Sequence, residues 1–290
     1  MITAIVHGGA WDIPVEVEDD TVDACRRALT AGRVLLLDGA SALEAVEGMI
    51  VILEDEPCLD AGTGSYRNEK GEVEMDAIIV DGKQLRFGSL ACLQHCRNPI
   101  RVARKLLDIT GTCMLGGAGA ERFAREQGFE FVHDDLLARK SGSESASGTV
   151  GAVVIDAYGD IAAGTSTGGI PRKRAGRIGD SPLIGCGALA ENEIGGVSVT
   201  GVGEDLMRVQ MASMVGRLMA GGRDAAAAAK EAVSQLELRV GGSGGVVCLS
   251  ASGGIGYAFN TGAMAVGYLD TSGNLCSLVA RRPSAEMPIR

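Results

Sequence analysis

Three histidines, one tryptophan and no Lys/Arg run longer than three residues occur in 290 residues. Each scarcity narrows the reading. The histidines, His7, His95 and His133, all lie in the first half. A serine hydrolase with a late histidine is therefore excluded, although Gly241-Gly242-Ser243-Gly244-Gly245 matches the spacing of a nucleophile elbow. A strand pattern also follows that serine, where the elbow needs a helix. Net charge is −10, and the densest basic run is Arg172-Lys173-Arg174. An acidic chain repels phosphate, so nucleic acid is not expected as a partner. No apolar run is long enough to span a membrane, and the start, Met1 to His7, lacks a basic leader. Eight cysteines are scattered without zinc-like spacing; Cys92 and Cys96 flank His95, but no second ligand pair follows. This cysteine usage predicts a reduced, cytoplasmic protein. The phosphate-loop Gly-Lys-Ser/Thr is missing, and Gly117-x-Gly119 carries Arg122 at the third glycine position, which suits a helix-packing turn.

Aromatics make up only 3% of the chain against 46% hydrophobic residues, so the core must be built from Ala, Val, Ile and Leu. Glycine is plentiful, 43 residues, in doublets without a collagen period, which points to tight turns and close backbone approaches.

Strand and helix signals alternate. Residues 2–7 read as a buried strand ending at Gly8-Gly9, and 20–37 as a helix. Ser41 and Glu44 form a capping box for a second helix to about Leu53. Ile78-Ile79-Val80 runs into the turn signal Asp81-Gly82. Pro99 suits the first turn of a helix through Leu107, and 119–127 reads as another. Residues 134–148 form a polar stretch expected to be flexible and exposed. A hairpin follows, 150–155 and 161–163, then helices at about 204–220 and 223–237, and strands near 245–249, 257–259, 264–269 and 275–280. Hairpins interrupted by helix pairs predict antiparallel sheets, apolar on both faces and covered on both. The expected class is α+β, a four-layer αββα sandwich, in one domain over 1–290.

The chemistry concentrates after Gly148. Gly148-Thr149 stands at the head of the apolar run Val150 to Ile155. A threonine there either simply opens a strand or acts as a nucleophile. In the second case the chain is cut before Thr149, and the new α-amine serves as base. Gly148 tolerates a strained scissile bond. Arg177 and Asp180, three apart, offer a guanidinium fork for a carboxylate and an acceptor for an ammonium; they also suit a loop salt bridge. Thr200-Gly201 ends a strand with a hydroxyl and an amide, an arrangement for an oxyanion hole or a turn. Thr167 either hydrogen-bonds Thr149 across the hairpin or is an ordinary strand residue.

These motifs together resemble the plant-type asparaginase and isoaspartyl peptidase family of N-terminal-nucleophile hydrolases, over nearly the whole chain. The resemblance implies the αββα sandwich and self-cleavage into 1–148 and 149–290. It implies hydrolysis of the side-chain amide of L-asparagine or of β-aspartyl dipeptides, releasing aspartate. Thr149 matches the nucleophile, Thr167 the threonine that tunes it, and Thr200 with Gly201 the oxyanion hole. Arg177 and Asp180 match the residues gripping the aspartyl head, and Gly203 a backbone contact. His7-Gly8-Gly9 matches a glycine-rich turn near the nucleophile, and Glu74 to Ala77 with Asp81-Gly82 a further family signature. Carbonyls of Leu53, Glu54, Glu56, Leu59, Ala61 and Thr63 match a loop holding a structural sodium ion; no cofactor is expected for catalysis. The expected partners are the small substrate and a second copy, as a homodimer of cleaved units. Two features depart from the pattern. The linker before Thr149 is short, and Asp60 stands where the family usually has Asn beside the oxyanion hole. A carboxylate there opposes growing negative charge, which predicts weak action on asparagine and a preference for basic leaving residues. Thr167-Gly168-Gly169 speaks against the glycosylasparaginase alternative, which usually has Asn at the first of these glycine positions. The alternative of another class is an uncleaved protein that binds an amino acid through Arg177 and Asp180.

Overall fold

A computed structural model describes residues 2–138 and 148–282. The segment from Lys140 to Ser147, expected to form most of the flexible linker, lies outside the described residues.

The chain opens with β1 (Thr3–Trp11), then α1 (Glu18–Leu37) and α2 (Ala42–Glu54). Both bonds of the Ser41/Glu44 capping box are present at the start of α2. A hairpin of β2 (Met75–Asp81) and β3 (Arg86–Leu93) leads to α3 (Pro99–Leu107), opened by its proline as expected. Then come β4 (Met114–Gly116), α4 (Ala118–Glu126) and α5 (Asp134–Leu137). The second half holds the hairpin β5 (Val150–Ile155) and β6 (Ile161–Thr167), followed by β7 (Ala188–Glu191) and β8 (Gly195–Gly201). It continues with α6 (Gly203–Val209), α7 (Met211–Ala220), α8 (Ala225–Val240), β9 (Gly244–Ser250), β10 (Ile255–Phe259), β11 (Ala263–Leu269) and β12 (Leu275–Arg281).

Three expectations need correction. The first strand does not stop at Gly8-Gly9: it runs through them to Trp11, with a register shift between His7 and Ala10. Residues 134–137 are helix, because the His133 side chain accepts from Asp135 N and caps the turn. The helix expected over 204–220 is two, broken at Gln210, whose φ of 53° is left-handed.

The strands form an eight-stranded sheet, β12-β11-β1-β5-β6-β2-β3-β4, and a four-stranded one, β10-β9-β8-β7. The pairings are antiparallel except β3 with β4. Alternation explains why strands apolar on both faces are needed. Ala4 and Val6 of β1 join Val150, Ala152 and Val154 of β5 in a core with residues of α1 to α4. Ile5, Val153 and Ile155 point the other way, onto Ala188, Val247 and Leu249 of the small sheet. Val197, Val199, Val246 and Cys248 face residues of α6, α7 and α8. The result is a mixed α/β architecture, and among the described residues no helix is long and apolar enough to cross a membrane.

Candidate active site

Thr149 immediately precedes β5, between β1 and β6, with only 6% of its surface exposed. Gly148 packs on Gly9 so tightly that a Cβ on it would lie 2.4 Å from Gly9 Cα and 2.8 Å from Thr200 Oγ1. No side chain fits, and Gly9 itself has a φ of 103°. The continued β1 strand thus acts as a backbone anvil under the Gly148–Thr149 bond.

Neutral groups surround that bond. Thr149 Oγ1 is 3.5 Å from Ser181 Oγ. Thr200 is fully buried at the end of β8, and its Oγ1 accepts from Ala10 N at 3.4 Å. Gly201 follows it. Val150 pairs with Ser166 across the hairpin, so the register carries Thr149 opposite Thr167. The expected bond between those threonines is replaced: Thr167 Oγ1 accepts from Gly169 N at 3.0 Å, and the hydroxyl beside Thr149 belongs to Ser181. Beneath lies a buried polar chain. His7 Nε2 is 2.8 Å from Ser198 Oγ, which is 2.8 Å from Thr165 Oγ1. Burial pushes His7 down to about 3, against a smaller opposing contact with the Thr149 backbone. So weak a base cannot take a threonine proton near neutral pH.

Charged groups gather at Arg177. Its guanidinium does not pair with Asp180. Nε and Nη2 donate to the two carboxylate oxygens of Glu204, at 2.9 and 2.7 Å. That contact occupies one edge of the fork and leaves Nη1 and the second Nη2 proton for a ligand. Asp180 is 2% exposed, and its Oδ2 has no hydrogen-bond partner among the described residues. Burial pushes its carboxyl up to about 7, with Arg177 only partly opposing. Gly203 opens α6 against both: a Cβ there would lie 2.9 Å from Arg177 Nη2 and 3.0 Å from Asp180 Oδ1. Asp76, also buried and raised by burial, accepts from Cys92 N at 2.8 Å through Oδ1. Lys173 is buried too, its Nζ donating to the carbonyls of Glu74 and, at 3.1 Å, Gly168.

Asp60 is fully buried, its carbonyl accepting from Gly168 N at 3.0 Å and its carboxylate packed beside Gly168. In the loop after α2, Glu54 O accepts from Thr63 N at 2.7 Å and Glu56 O from Leu59 N at 3.1 Å, while Leu53 O accepts from Asp55 N. The Glu54 and Leu59 carbonyls crowd Gly62 and Gly64, where a Cβ would meet them at 2.5 and 2.2 Å. Leu53 O accepts from Glu56 N as well, at 3.3 Å, whereas the Glu54 and Glu56 carbonyls, with one hydrogen bond each, keep a second lone pair, so this oxygen-lined turn fits a hard cation. His95 pairs with Asp134, with Nδ1 3.1 Å from Oδ1.

The pattern of the family described as Asparaginase matches residues 1–145 and 135–277. The chain belongs to the asparaginase family. It is 39% identical over 276 residues to the isoaspartyl peptidase/L-asparaginase of Xenopus laevis, covering 90% of this chain and 89% of that protein. To the human protein of the same name it is 39% identical over 267 residues, covering 86% and 87%. To the plant-type L-asparaginase of Pyrococcus horikoshii it is 38% identical over 297 residues, covering 93% and 96%.

Within this asparaginase-family chain, sequence reasoning missed Ser181, Glu204, Lys173 and the His7–Ser198–Thr165 chain as parts of the site. Ser181 and Glu204 directly follow Asp180 and Gly203, so adjacency to named residues was the available signal. Ser198 and Thr165 gave none, since hydroxyl residues inside apolar strands look like packing.

Proposed function

We propose that this protein is a self-processing amidohydrolase that cuts the side-chain amide of L-asparagine and of isoaspartyl dipeptides. The observation that carries the reading is the pairing of two half-sites. A buried Gly148–Thr149 bond lies on the Gly9 backbone beside Thr200, and an Arg177 fork stands near Asp180, whose Oδ2 has no hydrogen-bond partner among the described residues. The curated relatives named isoaspartyl peptidase/L-asparaginase support the substrates.

The first step is self-cleavage. Thr149 Oγ attacks the Gly148 carbonyl, the C–N bond breaks as the acyl group passes to Oγ and frees the Thr149 α-amine, and water then hydrolyses the ester to leave a Gly148 carboxylate and a free Thr149 hydroxyl. That amine titrates near about 8 and takes the proton from Oγ in each later turnover. Arg177 holds the substrate α-carboxylate and Asp180 its ammonium, with the Gly203 backbone alongside. Oγ adds to the side-chain carbonyl, and the Thr200 hydroxyl and Gly201 N–H bind the oxyanion. Collapse expels ammonia or the leaving amino acid and leaves a β-aspartyl ester. Water, activated by the same amine, then frees aspartate and restores Thr149. Ser181 holds the nucleophile's hydroxyl, and Thr167, across from it in the hairpin, shapes that end of the site through its bond to Gly169 N. Asp60 supports this end through Gly168.

The chain is read as one domain with a four-layer αββα sandwich, supported by one core between the sheets and one under each helical cover. The carbonyls of Leu53, Glu54, Glu56, Leu59, Ala61 and Thr63 would hold a sodium ion, which supplies only loop stability. Assembly is read as a homodimer of cleaved units. A reducing, cytoplasmic setting is supported by eight free cysteines.

Purified protein on a denaturing gel is the deciding test. Two bands, the smaller piece beginning at Thr149, with aspartate released from asparagine or β-aspartyl-leucine, are expected. One persistent band with amino-acid binding but no hydrolysis would replace the enzyme by a binding protein.

A further inference from the structure

The loop after β6 joins the two half-sites. It leaves the nucleophile end at Gly168 and reaches the clamp at Arg177. It is pinned along its length: Lys173 Nζ donates to the Glu74 and Gly168 carbonyls, Gly176 N to both Glu74 carboxylate oxygens at 3.0 Å, and Arg172 N to Arg67 O at 3.2 Å. Beside it opens a cleft of about 590 Å³, lined among others by Ile170, Pro171, Arg172, Arg174, Arg177 and Glu204. Its charge is lopsided. Glu204, the acidic lining residue, is neutralised by Arg177. The Lys173 ammonium is turned into the protein. Arg172 and Arg174 are exposed, and among the described residues no carboxylate lies within ion-pair distance of Arg174. Asp60, from which a basic preference was expected, is fully buried against Gly168 and is not part of the cleft lining.

We propose that this cleft receives the leaving residue of the substrate, and that Arg174 selects isoaspartyl dipeptides with an acidic second residue. The inference rests on the proposed amidohydrolase reading and reverses the sign expected from Asp60. The second residue of any isoaspartyl dipeptide carries a free α-carboxylate, and glutamate or aspartate there adds another. A guanidinium fork pairs with such groups in two parallel bonds. Ammonia leaving from asparagine offers nothing to it, and a lysine side chain is repelled.

The test compares kcat/KM for β-aspartyl-glutamate, β-aspartyl-leucine, β-aspartyl-lysine and asparagine, in wild type and in Arg174→Ala, Arg174→Lys and Arg174→Glu. Wild type should favour the glutamate over the lysine peptide by about fivefold at low salt, the upper end of what an exposed charge pair contributes. The ratio should shrink as salt screens it. Arg174→Ala should bring it to about a third or less, Arg174→Lys should fall between wild type and Arg174→Ala because the charge stays and the fork is lost, and Arg174→Glu should invert it. Active wild type with a ratio at or below one, or a ratio indifferent to Arg174→Ala and Arg174→Glu, overturns the inference and leaves the hydrolase reading standing. No cleavage of any of the four substrates overturns both.

Discussion

The two half-sites are built from opposite materials. Around Thr149 stand hydroxyls, glycines and a histidine that burial keeps neutral. Around Arg177 stand Glu204, Asp180, Asp76 and Lys173, most of them buried. The neutral end is held by strand register and backbone contact, so its demands are geometric. The charged end is held by ion pairs and desolvated carboxylates, so its demands are electrostatic. Chemistry that must first operate on the chain itself needs a fixed peptide and no foreign charge. Recognition of a zwitterionic amino acid needs both signs of charge within a few residues.

Substitutions at the two ends should therefore fail differently. Thr149→Ala should abolish both self-cleavage and turnover, giving one full-length band. Gly148→Val should do the same to cleavage through the clash with Gly9 and Thr200, with Thr149 intact. A Gly148→Val protein that still splits before Thr149 would mean the backbone contact is unimportant.

Arg177→Ala should leave cleavage intact and raise KM, since a lost charge-assisted bond to a carboxylate costs about 2–4 kcal/mol, or roughly thirtyfold to several hundredfold. Equal loss of self-cleavage would erase the division between the ends.

The third contrast is pH. Asp180, pushed up to about 7, grips an ammonium only when ionised. KM for asparagine should fall as pH rises through about 7, and Asp180→Asn should flatten that dependence, with KM held near the wild-type value at low pH. The α-amine of Thr149 should show instead in kcat, near about 8. For folding the sign is opposite. A carboxyl raised in the folded state stabilises below its ordinary pKa, and that contribution is lost as pH rises through the folded value. The Asp180→Asn protein should therefore lose less thermal stability than wild type between pH about 5 and about 8, read by calorimetry.

The smallest effect sharpens the role of Glu204. It is half-exposed, so its pairing is worth about 1 kcal/mol or less. Glu204→Gln should raise KM about two- to fivefold with kcat unmoved, because a freed guanidinium still binds carboxylates but less well aligned. A lower KM would show instead that Glu204 competes with the substrate.

Legibility followed the same division. Local signals were readable: the Ser41 box, Pro99 at the head of α3, and the β5–β6 hairpin all formed. The family motifs also drew Arg177, Asp180 and Gly203 to one place. What escaped was set by partners far along the chain. Gly8-Gly9 look like a strand end, yet the strand continues and Gly148 packs on Gly9. Gln210 breaks a helix that composition favours. Ser198 pairs with His7 across 191 positions, which no periodicity encodes. Glu204 lies in the first turn of α6, and nothing in the local sequence sets it against Arg177, 27 positions earlier.

The strand order has one more consequence. β1, β2, β3 and β4 come from before Thr149 and the rest from after it, yet β1 lies between β11 and β5, and β6 pairs with β2. A cut at Gly148–Thr149 thus makes two polypeptides woven through a single sheet at three seams. They cannot separate without dismantling the fold, but once dismantled they must find each other again. Maturation would turn a unimolecular refolding problem into a bimolecular one. The processed protein would hold its structure through slow unfolding more than through reversible equilibrium. Refolding of the mature pieces should depend on dilution, whereas the uncut Thr149→Ala chain should regain its subunit fold at a rate independent of it.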